Sequence, residues 1–114
     1  MPRSSRDLYL RRTYGITEAE YELILDAQNG RCWICNKRPK KRRLHVDHEH
    51  VKRDKKADPM LKRTKVRGLL CWGCNTAIAK FGDDSERLRN AADYIDIWPA
   101  QDILQEQEVD DGKT

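Results

Sequence analysis

The chain of 114 residues fits one domain, or one domain with a tail, and leaves no room for a second catalytic domain. With 38% hydrophobic residues, 37% charged residues and a single phenylalanine, Phe81, its apolar core must be small, and four cysteines stand ready to staple it. The sequence has no run of about 18 apolar residues and no apolar stretch behind Met1 to Arg6. The expectation is therefore no membrane partner and an intracellular, cytoplasmic location, where cysteines pair with metals more often than with each other.

The formal charge of +4 hides an asymmetry. Residues 1–98 carry a net +8, and the segment 99–114 carries −4 from Asp102, Glu106, Glu108, Asp110 and Asp111 against Lys113. Residues 37–67 alone hold fourteen Lys and Arg against Asp47, Glu49, Asp54 and Asp58, a net +10. Solubility does not require cations to cluster in this way, whereas a polyanion such as nucleic acid is drawn to such a field.

In chain order, Ser4 or Ser5 caps a short helix through Leu8 and Leu10 to Tyr14, with Gly15 as its stop. Thr17-Glu18-Ala19-Glu20 reads as a capping box, with Ile16 placed to staple onto Tyr21. The helix that follows carries Tyr21, Ile24, Leu25 and Gln28 on one face, Leu23 and Ala27 beside it, and Gly30 at its end. Leu44 to His48 alternates as a strand and Lys65 to Leu70 as a second, with a long hydrophilic loop, Lys52 to Thr64, between them and Asp58-Pro59 as a breaker within it. Asn75 to Phe81 is helix-like and stops at Gly82, and Asp83 or Asp84 caps a further helix through Leu88, Ala91, Ala92 and Ile95 that ends at Trp98-Pro99. The division expected is a domain over 1–98 and an acidic, disordered tail over 99–114.

Cys32-x-x-Cys35 and Cys71-x-x-Cys74 form two chelating pairs of the type that hold structural zinc, and four sulfurs leave no open coordination position. The three histidines, His45, His48 and His50, fall within six positions of one another, and the cysteine set leaves them free of the zinc. A lone histidine is most often a satisfied structural residue, and that reading stays open for His45. His48 adjoins Asp47. The carboxylate is a hard ligand for Mg2+ or Mn2+, and the imidazole is suited to take a proton from water near neutral pH. In a regular strand, however, Asp47 and His48 point to opposite faces, so they serve one phosphate only where the strand ends or bulges, while period two puts His48 and His50 on one side.

Cys32-x-x-Cys35, Val46-Asp47-His48-Glu49-His50 and Val66-Arg67-Gly68-Leu69-Leu70-Cys71-x-x-Cys74-Asn75 together resemble the phage recombination endonuclease VII family of HNH, or ββα-metal, nucleases, over roughly Tyr14 to Ile95. The resemblance implies an α+β fold, a small zinc-stapled ββα-metal core with flanking helices. It implies that Asp47 and Asn75 hold a catalytic Mg2+ or Mn2+, that His48 is the general base, and that His50 assists at the metal or phosphate. The function expected on this ground is metal-dependent DNA endonuclease activity in phage DNA recombination, on nicked, branched or duplex DNA, with a homodimer and the partner of the tail left open. Two features depart from the family pattern: the loop from Lys52 to Thr64 is longer, and Ile78 stands where a further acidic residue of the metal-binding helix is known. A zinc-stapled DNA-binding module without catalysis, or an adaptor presenting Trp33, Trp72, Trp98 and the acidic tail, accounts for the cysteines but has no need of Asp47, His48 and Asn75 together.

Overall fold

In the computed structural model, which describes residues 3–49 and 58–111, each of the first two helices is set by its caps. The Ser4 side chain accepts from the Asp7 N–H to start α1 (Ser5–Tyr14), and Gly15, at φ 74°, ends it in the left-handed conformation that glycine adopts without a Cβ penalty. At α2 (Glu18–Ala27) both halves of the capping box form: Glu20 N–H donates to Thr17 Oγ1 at 3.0 Å, and Thr17 N–H to the Glu20 carboxylate at 2.9 Å. The buried Asp7 joins the two helices by accepting from the Glu18 N–H at 2.8 Å and from Arg11. These bonds, the Glu18 N–H foremost, hold its carboxyl below the usual range.

Strand β1 (His45–His48) pairs antiparallel with β2 (Val66–Leu70) in a two-stranded sheet. Between the strands, where a breaker within a loop is expected, Asp58 and Pro59 instead begin a short helix, α3 (Pro59–Arg63). Asp58 accepts from the Met60 N–H at 2.9 Å, and proline suits the first helical position, where an N–H has no partner to lose. Lys62 Nζ donates to Arg12 O at 2.9 Å, and Arg63 to Gly15 O and to the Glu20 carboxylate, so this part of the expected loop packs on α1 and α2. Two of the clustered cations thus serve the fold.

After β2 come α4 (Trp72–Lys80), which starts within the second cysteine pair, three residues ahead of Asn75, then α5 (Ser85–Ile97) and α6 (Pro99–Asp111). Asp84 caps α5 by accepting from Glu86 and Arg87, and Trp98 ends it at φ 54°. Residues 99–111, expected from composition to be disordered, are helical, with Pro99 at the first position. Residues 99–106 of that helix are all exposed, Ile103 and Leu104 included. By compactness the chain divides within α4 into Met1–Ala77 and Ile78–Thr114, whereas the division read from composition, at 98/99, marks a change of charge.

The core is as small as the composition requires: Leu10, Ile16, Tyr21, Cys32, Leu44, Val46, Leu69 and Leu70 are its buried apolar members among the described residues. Tyr21 carries its hydroxyl into this core and donates it to Leu44 O at 2.7 Å, which fixes the segment leading into β1. Leu23, expected beside the buried face of α2, is exposed. Gln28, at the C-terminal cap of α2, reaches the sheet. Its amide donates to Leu69 O at 2.9 Å and accepts from the Leu69 N–H at 2.9 Å, as a neighbouring strand would. Gly68 leaves room for it, since a Cβ there would stand 3.2 Å from Gln28 Oε1.

Replacing Gln28 by Ala leaves the Leu69 N–H without its side-chain partner and the Leu69 carbonyl with the Trp33 N–H alone, at 3.4 Å. The expected loss is about 1–3 kcal/mol of unfolding free energy, measured by denaturant titration of the metal-loaded protein. A change under 0.5 kcal/mol would show that water replaces the amide at no cost.

Candidate active site and metal centre

The first cysteine pair sits in a tight knuckle. Cys32 N–H donates to Lys37 O and Asn36 N–H to Cys32 O, each at 3.0 Å, with Asn36 in the left-handed region at φ 61°. The second pair is carried by the junction of β2 and α4, where Cys74 N–H points at Cys71 Sγ at 3.4 Å. The folded chain brings all four sulfurs within 4.8 Å of one another, and none forms a disulfide. Zinc at a Zn–S distance of about 2.3 Å spaces the sulfurs of a regular tetrahedron about 3.8 Å apart. Cys35 and Cys71 Sγ are 3.8 Å apart. The four cysteines are positioned to bind a metal, and their thiolate donor set is that of zinc.

The thiols themselves ask for a cation. Burial raises Cys32, but hydrogen bonds from the Cys35, Cys71 and Ile34 backbone outweigh it and bring the thiol down to about 6. Cys74 goes the other way: burial, then hydrogen bonding with Cys71, Cys32 and Cys35, and finally the charge of Cys32, push it up to about 12. The first thiolate forms readily and the last does not form beside it without positive charge at the centre.

Asp47 and His48 lie at the end of β1, and the register breaks between them: Asp47 faces Gly68 while His48 faces Val66. Arg67 is the extra residue, so the bulge belongs to β2, while Asp47 and His48 are the last two residues of β1, where the strand ends. The bulge also delivers the Arg67 guanidinium to Asp47, with Nε 2.7 Å from Oδ2 and Nη2 2.9 Å from Oδ1, a bidentate pair on a carboxylate only 5% exposed. Two oxygens offer about four acceptor directions, so this pairing leaves lone pairs for a cation. The Tyr14 ring meets the His48 imidazole edge-on at 5.4 Å, and burial, then the hydrogen bond and charge of Tyr9, push the Tyr14 phenol up to about 12. Beyond His48, Glu49 N–H continues the ladder to Lys65 O at 2.9 Å.

Asn75 follows Cys74 directly in the first turns of α4, half-buried, and its N–H donates to Cys71 O at 3.0 Å. The knot therefore tethers Asn75, while β1 carries Asp47 and His48. His50 lies outside the described residues. Among the described residues the cysteines are the one cluster of three or more His, Cys, Asp or Glu side chains able to hold a metal. Reading by residue type misses Arg67 as the partner of Asp47 and Tyr14 as the neighbour of His48. The signal for Arg67 was the hairpin, which puts residues 67 and 68 across from 47.

A zinc-type cysteine knot holding a short antiparallel hairpin and the helix behind it defines a small zinc-stapled α+β protein. Residues 7–97 match the recombination endonuclease VII family, and the chain belongs to that family. It is 41% identical to the Gene 59 protein of Mycobacterium phage D29 over 97 residues, which cover 83% of this chain and 52% of that protein. It is 39% identical to the Gene 59 protein of Mycobacterium phage L5 over the same length and shares. The chain thus spans about half the length of the curated relatives it matches. No solved structure matches it. No helix among the described residues is long and apolar enough to cross a membrane.

Zinc uptake by the metal-free chain is expected to release protons, Cys74 supplying one, so apparent affinity rises with pH. Calorimetry in buffers of different ionisation enthalpy measures the release. Cys71→Ser should lose both metal and fold, and a folded, reduced wild type without metal would remove the site.

Proposed function

We propose that the chain is a metal-dependent DNA endonuclease of the HNH type, hydrolysing phosphodiester bonds of nicked, branched or duplex DNA to 5′-phosphate and 3′-hydroxyl ends. The observation that carries this reading is the conjunction of family membership with Asp47-His48 at the end of β1, opposite the bulge of β2, and Asn75 on the adjoining cysteine knot. His48 accepts a proton from water at an imidazole nitrogen, and the hydroxide so formed attacks phosphorus in line with the leaving 3′ oxygen. Asp47 and Asn75 would hold Mg2+ or Mn2+, which supplies positive charge to the phosphate oxygens and the leaving group. His50 assists at the metal or phosphate. The edge of the Tyr14 ring against His48 restricts how the imidazole turns.

DNA is held by its backbone. Lys37, Arg38, Lys40, Lys41, Arg42 and Arg43 are all exposed, a dense set of cations just ahead of β1. Such contacts carry little base information and weaken steeply with salt. The nuclease reading assigns catalysis to residues 1–98, with the acidic segment 99–114 dispensable for cleavage, and leaves room for a homodimer.

His48→Ala is expected to keep metal content, folding and DNA affinity while cleavage falls by about two to four orders of magnitude. Asn75→Ala should also slow cleavage, but raising Mg2+ should restore part of it, which it cannot do for a missing base. Gel assays on linear, nicked, supercoiled and four-way-junction DNA read both variants. Equal cutting by wild type and His48→Ala would remove His48 from the mechanism. Binding without cutting by the wild type would favour a non-catalytic zinc-stapled DNA-binding module.

A further inference from the structure

A cavity of about 360 Å³ opens where α1 meets the start of β1, and its walls are unlike an ordinary surface dimple. Three arginines, Arg6, Arg42 and Arg43, stand around it together with Tyr9, Tyr14 and His45. The Arg6 guanidinium lies over the Tyr21 ring, 4.5 Å from its centroid, which fixes one flat charged plane in the wall. Tyr9 and Tyr14 meet edge to face at 6.1 Å, which fixes a second aromatic surface. Two side-chain polar atoms among the described residues are shut off from water and lack a hydrogen-bond partner, Arg6 Nε and His45 Nε2, and both residues line this cavity. Atoms closed to water are closed to a ligand as well, so the cavity is offered the remaining, partly exposed surface of Arg6 and His45 and not these two atoms.

The chemistry of the walls selects that partner. Three guanidinium groups favour a phosphate, and tyrosine rings and a guanidinium plane are the surfaces on which nucleobases stack. At the low end of the ~300–1,000 Å³ typical of ligand pockets, the space suits one nucleotide and not a run of them. His45 lies three residues from His48 on the same strand, about 10 Å at the usual rise, and Tyr14 touches both the cavity and His48.

The geometry points to a site for a single unstacked nucleotide of a DNA strand, its base against Tyr9, Tyr14, Arg6 and the exposed side of His45, and its phosphate on Arg42 and Arg43. The strand assignment rests on the nuclease reading, whereas nucleotide binding itself does not. An unstacked nucleotide is cheapest to supply at a nick, a branch or an end.

The test titrates zinc-loaded full-length protein with deoxyadenosine 5′-monophosphate, deoxyadenosine or inorganic phosphate and follows the His45 ring resonances by NMR. The nucleotide is expected to move them and to bind at least tenfold tighter than either fragment. His45→Phe and Arg43→Gln, the latter at an exposed residue, should each weaken it about tenfold with zinc content and circular dichroism unchanged. Should His45→Phe fail to fold, Arg43→Gln still decides the matter. Phosphate acting as well as the nucleotide would reduce the site to an anion site, and unmoved His45 resonances would remove it; either result overturns the proposal. In a His48→Ala background, the same substitutions should weaken binding of nicked duplex by a similar factor. If they weaken only the free nucleotide, the cavity serves a soluble nucleotide and the strand assignment falls. All of these are binding measurements, so a wild type that never cuts DNA would overturn the nuclease reading and leave the nucleotide site standing.

Discussion

Four sulfur atoms within 4.8 Å of one another do for this chain what a larger core would do for a longer one. A two-stranded sheet is marginal by itself in water, and the eight buried apolar residues among those described are little to set against the entropy of ordering a hairpin. The knuckle after α2 and the junction of β2 with α4 are far apart in sequence, so closing them around one metal fixes both ends of the intervening excursion. The positions that matter chemically inherit their places from that closure: Asn75 because it follows Cys74, Asp47 and His48 because their strand is paired to the segment that ends at Cys71.

What local pattern can specify was legible in the sequence. Both capping motifs, the glycine stop after α1, the two strands and the cysteine pairs rest on residues a few positions apart, and each is found where local chemistry puts it. Asp58-Pro59 was legible too, but ambiguous, because the residues that interrupt a helix also begin one; packing on α1 decides between these roles. Composition is a weaker guide still, as helical residues 99–111 show. Register was hidden. Which residue of β2 is skipped depends on the pairing of segments some twenty positions apart, and the Arg67–Asp47 pair depends on that register. Gln28 escaped for the same reason, since its partner is forty-one positions away.

Charge is divided by task along the basic segment. Lys62 and Arg63 are spent on helix ends and on Glu20, and Arg67 neutralises the one buried carboxylate of the sheet, while the cations of 37–43 stay in water. Among the described residues, counting charges along the chain thus overstates the field available to a polyanion. Asp47 meanwhile never stands as a bare buried charge, so the sheet can form before any divalent ion arrives at it.

The amide of Gln28 has a consequence at the scale of the population of molecules. An open strand is a template, and a second copy of the chain could otherwise lay its own backbone against β2 and begin an assembly with no natural end. At Leu69 the positions such an intruder would need are already filled, by a side chain that imitates a strand for the length of one residue and offers nothing further to copy. On that edge the Gln28 amide, together with the Trp33 N–H at 3.4 Å from Leu69 O, stands where an added strand would pair.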